Sequence, residues 1–335
     1  MRSLAAIATG PLGRRLTAAG GVLAPSLWHA NARAQATGYP NRPVRIVVPY
    51  PAGGGTDNIA RMLATRLNEA WGQPIVVENR VGASGIIGND AIAKAPADGY
   101  TLLLGITTLI QMPFLQAKLP YDAFKDFAPV SQLALSADLF AVPTSSPFQS
   151  LKDFVDHARA RKGTVNYGSY GNGTSSHVHG EMLSAQANLG LVHVPFKGGA
   201  PLMTDLLGGQ LNSAFVDLSS ARAHLKSGKM RVLAITGERR FKLLPEVPTF
   251  TELGYKEFEP YGWFAMLAPA GTPADIVARV STEVGRIIRL PEITARIEDM
   301  GLQAVGNSPA EFQSMMRRDH AIWGEVIRDA NIRLD

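Results

Sequence analysis

The chain has 335 residues, 46% of them hydrophobic and 18% charged, with no cysteine and a formal net charge of +5. The apolar fraction excludes a disordered chain, and about 100–200 residues per domain points to two domains. Without cysteine there is no disulfide scaffold, no Cys-ligated zinc and no thiol nucleophile.

Residues 1–34 carry Arg2, Arg14, Arg15 and Arg33 and no acid. A mildly apolar stretch runs from Leu16 to Trp28, and Ala32-Arg33-Ala34 forms an A-x-A cleavage pattern. Together these read as an export signal over residues 1–34, by a Sec or a twin-arginine route. Gly20, Gly21 and Pro25 interrupt the competing reading, an amphipathic helix. Four of the 33 basic residues lie in this leader, so the rest of the chain holds 29 against 28 acids, a net of +1. The charge that would suggest nucleic acid or an anionic membrane as partner therefore belongs mostly to the leader. No later apolar stretch approaches the ~20 residues of a spanning helix, so a soluble protein in the periplasm is expected.

After Tyr39 a β-branched run, a Gly/Ser/Thr-rich loop and an amphipathic helix recur. Val44–Val48 leads through residues 49–55 into a helix over Thr56–Ala70. Ile75–Val77 leads into a helix over Ser84–Lys94, and a strand follows at Thr101–Gly105. The middle of the chain repeats the theme. A helix over Ser150–Arg161, with Ser150 as N-cap, precedes a strand at Thr164–Tyr167 and a helix over Ser175–Ala187. A strand at Leu191–Pro195 and a helix from about Ala200 to Leu207 come next. Ser213–Val216, a helix over Ser219–Lys226 and Arg231–Thr236 complete this part. After a Pro-rich link, Tyr261–Ala268 reads as a strand. Helices over Ala274–Ile288, Pro291–Met300 and Pro309–Asp329 follow, with a short strand at Leu302–Val305. Alternating strands and helices imply right-handed βαβ units and mostly parallel sheets.

Ligands of open parallel sheets bind beyond the carboxyl ends of the strands. Five junctions here share one chemistry: 51–57, 82–85, 168–175, 197–199 and 217–220 are rich in Gly, Ser and Thr, the last also carrying Asp217. Glycines let backbone N–H groups approach a ligand, and each following helix start favours an anion. Helix capping explains any one of these loops; their recurrence favours binding. The first loop lacks the Gly-Lys-Ser/Thr of a phosphate loop. Gly171-x-Gly173-x-x-Ser176 lacks the third glycine of a dinucleotide fingerprint, and the next strand ends without an acid. Neutral donors with few cations suit a carboxylate. On a helix, His177 and Glu181 share a face while His179 points elsewhere, so no metal site is expected. Ser175 or Ser176 beside His177 lacks the geometry of a triad, and no G-x-S-x-G elbow is present. Trp263, Phe264 and Tyr167 read as core; Tyr50 and Tyr170, beside loops, are better placed to cover a ligand.

Val48-Pro49-Tyr50-Pro51-Ala52-Gly53-Gly54-Gly55-Thr56-Asp57 resembles the opening signature of the TctC/Bug family, the extracytoplasmic solute receptors of tripartite tricarboxylate transporters. The likeness continues through Glu78-Asn79-Arg80-x-Gly82-Ala83-x-Gly85, Asp98-Gly99-Tyr100-Thr101-Leu102 and Tyr167-Gly168-Ser169-x-Gly171-x-Gly173-Thr174-Ser175-x-His177. It extends to Val194-Pro195-x-Lys197-Gly198, Asp205-Leu206-Leu207-Gly208-Gly209-Gln210 and Leu267-Ala268-Pro269-Ala270-Gly271-Thr272-Pro273. Val81 stands where the family usually has Pro, and Ser84 and Ile86 where it has Gly and Asn, so the second loop departs from the pattern.

The resemblance implies an α/β, type II periplasmic-binding-protein fold, with two lobes of mostly parallel sheets and a ligand cleft between them. One lobe would be discontinuous, residues 39–142 and 261–335, and the other would be 143–260. The implied function is capture of a small carboxylate and delivery to the permease subunits of a tripartite tricarboxylate transporter, or presentation to a sensor kinase. In the family, the first Gly-rich loop and a facing loop grip one carboxylate. This maps onto Ala52, Gly53, Gly54, Gly55, Thr56 and Asp57, and onto Ser169, Gly171, Thr174 and Ser175. Asp217 matches a position that reads the rest of the solute. Tyr50, Ser84, Thr107 and His177 complete the expected ligand-binding set. No catalytic residue, metal or cofactor is expected, and the protein is expected to be monomeric. The alternative is a secreted hydrolase of a small ester or amide.

Overall fold

The computed structural model describes residues 38–258, 261–329 and 332–333; the export-signal reading of residues 1–34 lies outside them. The chain begins with β1 (Val44–Val48), α1 (Gly55–Trp71) and β2 (Ile75–Asn79). Apart from Arg45, β1 is apolar and buried; it is an interior strand between β3 and the edge strand β2, as expected of a strand covered on both faces. α1 turns Ile59, Leu63 and Leu67 inward at helical spacing and stops at Gly72, whose φ of 64° ends the helix. A 3₁₀ turn at Ala83–Gly85 precedes α2 (Ile86–Ala93), so the helix starts later than the expected Ser84. The cause is local: Ser84 and Gly85 both have positive φ (53° and 96°).

β3 (Thr101–Ile106), α3 (Thr108–Leu115), β4 (Phe127–Ser136) and β5 (Asp138–Pro143) follow. Then come α4 (Leu151–Ala160), β6 (Asn166–Ser169), α5 (Ser175–Gln186), β7 (Val192–Pro195) and α6 (Gly199–Leu207). Ser150 caps α4 in a reciprocal box, with its hydroxyl accepting the Asp153 N–H and the Asp153 carboxylate accepting the Ser150 N–H. β8 (Ser213–Asp217), α7 (Leu218–Lys226), β9 (Met230–Ile235), β10 (Gly262–Pro269), α8 (Ala274–Ile288), α9 (Pro291–Asp299), β11 (Gln303–Ala304) and α10 (Pro309–Asp329) complete the described chain.

Two sheets form, in the orders β11-β4-β10-β3-β1-β2 and β7-β6-β8-β5-β9. Each keeps a parallel half: β1 runs parallel to β2 and β3, and β6 runs parallel to β7 and β8. The expectation of mostly parallel strands holds only for those halves. β10 is antiparallel to β3 and β4, and β5 is antiparallel to β8 and β9. These are the strands on which the chain changes sheets, so no helical crossover forces them parallel. β4 and β5 are separated by Ala137 alone, and β5 pairs wholly within the second sheet. The crossing therefore falls at Ala137, ahead of the expected 142/143 boundary.

Two apolar clusters flank the first sheet. One sets Ile46, Leu102 and Met266 against α1 and α8 through Leu63, Val280 and Val284. The other joins the two sheets, running from Trp263 and Phe312 through Trp323 to Phe140, Phe215 and Phe250. A third cluster packs α6 and α7 on the second sheet.

Candidate functional site

Five helices begin around one cleft of about 560 Å³. Gly55 and Thr56 belong to the start of α1, Thr107 and Thr108 to α3, and Thr174 and Ser175 to α5. Gly199 and Ala200 start α6, and Asp217, Ser219 and Ser220 lie at the start of α7. The first N–H groups of a helix have no intrahelical acceptor, and the positive end of its dipole lies there. At α1, α3, α5 and α6 no side chain caps them. Among the described residues lining the cleft, none is Lys, Arg or His. Positive potential in this cleft thus comes from backbone dipoles rather than ionised side chains.

The first loop is shaped by Asp57. Its buried carboxylate accepts the Gly53 N–H at 2.8 Å, Arg61 Nε at 2.9 Å and Asn79 Nδ2 at 3.0 Å. Burial pushes this carboxyl up, but Arg61, the Gly53 N–H and Asn79 outweigh it and hold the group at about 2. Gly53 itself has φ 81°, which closes the tight turn before α1. Asp57 therefore builds the loop and is not among the lining residues. Gly55 carries no side chain where the Phe264 ring passes; a Cβ there would lie 3.6 Å from Phe264 Cζ.

The facing loop, between β6 and α5, rests on two stacked imidazoles. The rings of His177 and His193 lie 3.9 Å apart at 14°. His177 Nδ1 accepts the Gly173 N–H at 3.1 Å, and His193 Nε2 bonds Ser169 Oγ at 2.7 Å. Burial pushes His177 down to about 4, and burial with the neighbouring ring pushes His193 down to about 3. Ser169 also bonds Gly171, and Thr174 Oγ1 donates to the Gly171 carbonyl at 2.7 Å. Tyr170 turns toward the cleft; its hydroxyl donates to Asp138, which bonds His179 Nδ1 at 2.8 Å. Burial and the Asp138 carboxylate raise the Tyr170 hydroxyl far above its ordinary range, so it stays a neutral donor.

Of the residues singled out from sequence, the cleft gathers Gly53, Gly54, Gly55, Thr56, Thr107, Thr174, Ser175 and Asp217. Asp217 doubles as the N-cap of α7, accepting the Ser220 N–H at 2.8 Å and bonding Ser219 Oγ and Ser220 Oγ. Tyr50, Ala52, Asp57, Ser84, Ser169, Gly171 and His177 do not line it. Ala52 and Ser84 are exposed, and Tyr50 packs beside Gly85, whose added Cβ would meet its hydroxyl at 2.8 Å. Ser169, Gly171 and His177 support the loop from beneath, through the bonds given above.

Sequence reasoning missed Gln111 and Ser136; it read Trp263 and Phe264 as core, which Trp263 is, at 1% exposed, and which Phe264 is only in part. All four line the cleft. They come from α3, the end of β4 and the start of β10, and no local motif marks them. The signal that could have found Gln111 is a lone amide in the apolar helix segment Thr108–Leu115. Gln111 is fully buried, and both its amide atoms lack a hydrogen-bond partner among the described residues, as does Trp263 Nε1.

Comparison with known proteins gives a coherent set. The profile of the tripartite tricarboxylate transporter family receptor matches residues 59–332. A protein from the tcbD-tcbE intergenic region of Pseudomonas sp. strain P51 is 35% identical over 94% of both chains. BugT of Bordetella pertussis is 34% identical over 88% of this chain and 91% of its own. Among solved structures, an R. palustris protein with adipate superimposes with a TM-score of 0.79 at 34% identity, covering 88% of this chain and 100% of that one. MatC from Rhodopseudomonas palustris with bound malate gives 0.75 at 29% identity, covering 86% and 100%.

Proposed function

The chain belongs to the family of tripartite tricarboxylate transporter receptors, and from that premise we propose that it is an exported receptor for a small carboxylate. The observation that carries this reading is the convergence of uncapped helix starts on a cleft that no cation lines among the described residues. Such a site suits a planar monoanionic group held by N–H and hydroxyl donors. Gly53 to Thr56 on one side and Thr174 and Ser175 on the other would grip the carboxylate. Asp217, Tyr170 and the residues from α3 and β10 would face the remainder of the solute.

In this reading residues 1–34 direct export, and the crossing at Ala137 and the return before Gly262 let two lobes close on the solute. Closure is a population shift driven by contacts that the ligand makes better in the closed state. The closed form would then deliver its solute to the membrane subunits of a tripartite transporter. The solved relatives bound to adipate and malate support a small carboxylate as the class.

The test combines thermal unfolding of the purified protein against a carboxylate panel with recovery of the ligand afterwards. A ligand at a hundred times its Kd stabilises by about 2.7 kcal/mol and should be recovered intact. No stabilisation by any carboxylate, or conversion of the ligand as a hydrolase would do, would overturn the proposal. Loss of solute uptake in a deletion strain is expected for a transporter-coupled receptor. Unchanged uptake would instead favour a purely sensory role.

A further inference from the structure

Among the described residues, Gln111 and Trp263 are the two lining the cleft whose buried polar side-chain atoms lack a hydrogen-bond partner. Gln111 is wholly buried and Trp263 is 1% exposed. The Gln111 Nε2 and Oε1 atoms and Trp263 Nε1 all lack partners among the described residues. Leaving one such atom unmet costs about 1–3 kcal/mol, so three in one cleft call for a common partner.

The backbone sets these side chains on one side of the first sheet. Trp263 N donates to Thr107 Oγ1 at 2.7 Å, and Thr107 N donates to the Trp263 carbonyl at 3.3 Å. Gln111 lies one helical turn beyond Thr107, with its N–H on the Thr107 carbonyl. Successive strand residues point to opposite faces, so Trp263 and Phe264 diverge at the start of β10. Trp263 packs with Phe312, in the apolar cluster that reaches the second sheet, while Phe264 packs against Gly55 at the start of α1. The carboxylate grip at α1 and the orphaned amide at α3 thus occupy two different sides of the cleft.

We propose that Gln111 and Trp263 form a second subsite that selects solutes whose far end is uncharged and both donates and accepts hydrogen bonds, with a primary carboxamide as the matching group. This rests on the carboxylate-receptor reading of the same cleft. The amide of Gln111 offers N–H and C=O side by side, so a ligand carboxamide meets both at once and can also accept from the indole N–H. A second carboxylate would meet the Gln111 N–H and the indole but would set its negative charge against Oε1. No lining cation would neutralise it, and Asp217 is the charged residue already in the cleft.

Isothermal titration of the purified protein with succinate, glutarate and adipate, and with the monoamide of each, tests this. At the preferred chain length the monoamide should bind about tenfold or more tightly than the diacid. That ratio should collapse in Gln111→Leu and shrink in Trp263→Phe, which keeps an aromatic ring, though a smaller one, and removes the N–H. Gln111→Leu should also unfold no earlier than the native protein, because the amide it loses bonds no group among the described residues. A diacid that binds as well as its monoamide, or a ratio unchanged in both variants, overturns the subsite while leaving the receptor reading intact. A marked loss of stability in Gln111→Leu would make Gln111 structural and also overturns it. If no carboxylate of either series or of the wider panel binds, the receptor reading falls with it.

Discussion

Asp57→Asn is the sharpest probe of how the first loop is built. The substitution keeps volume and removes charge, and the buried carboxylate it replaces receives three donors, from Gly53, Arg61 and Asn79. An amide can accept on one side only. Whichever way it turns, its NH₂ faces either Asn79 Nδ2 or the pair formed by Gly53 N and Arg61 Nε. Asn79 cannot flip to relieve this without surrendering its 3.0 Å bond to the Tyr50 carbonyl. Hydrogen bonds to a charged group contribute about 1.5–3 kcal/mol each, and the bond to Arg61 is discounted because that side chain is 53% exposed. The expected loss is therefore about 2–3 kcal/mol of unfolding free energy, read from urea or guanidinium unfolding at pH 7. The same change leaves the Gly53 N–H with a weaker, neutral acceptor or with none, so residues 53–56 are held less firmly. Carboxylate affinity, measured by titration calorimetry, should fall about tenfold or more, because a misplacement near 1 Å has that scale of effect. Stability within about 0.5 kcal/mol of the native protein together with unchanged affinity would refute the account of Asp57 as the loop's clamp.

Three further outcomes are expected. Gly180→Ala should destabilise α5 by about 1–3 kcal/mol in denaturant unfolding, although glycine-to-alanine in an open helix gains up to about 1 kcal/mol. The reversal comes from the added Cβ, which would sit 1.9 Å from Tyr167 Cε2; a stabilised variant would contradict that packing. Stability should fall as pH drops from about 6.5 toward 4 and on toward 3, because His177 and His193 are held neutral at about 4 and about 3 while the unfolded chain takes up their protons first. Asp57, held at about 2, adds its own loss only below about pH 4, and His177→Gln should flatten the curve between pH 6.5 and 5. Asp217→Asn should leave unfolding free energy within about 0.5 kcal/mol, since Asn caps a helix as well as Asp does. It should nevertheless raise affinity for dianions relative to monoanions, and an unchanged ranking would remove Asp217 from ligand discrimination.

How far the site could be read from sequence depended on whether its residues carry a local signature. The loops at 51–57, 168–175, 197–199 and 217–220 were visible because a tight turn into a helix needs Gly, Ser, Thr or Asp at set places. The same logic marked Ser150 as a cap. It could not separate residues that face the cleft from those that hold the loop. Asp57 and Thr56 are neighbours in one motif, yet one is consumed by Gly53, Arg61 and Asn79 while the other lines the cleft. His177 and Ser169 also belong to a motif and lie beneath it, because the stack with His193 forms only once β6 and β7 pair. Between Ile106 and Gln149 the sequence pattern marks no strand or helix, although Thr107 belongs to the expected binding set and does line the cleft. α3, β4 and β5 follow no loop-helix repeat, and they include Gln111 and the crossing at Ala137.

By itself the chain's order determined the repeating strand–loop–helix units, their helix-start chemistry and membership of a receptor family, since each depends on residues within a few positions of one another. Only the tertiary structure decided the antiparallel strands that exchange the chain between sheets, and the meeting of five helix starts at one cleft. It also decided the fate of Gln111 and Trp263. A buried amide and a buried indole are unremarkable in any local window, and their polar atoms become informative only when packing leaves them without partners beside an open cavity.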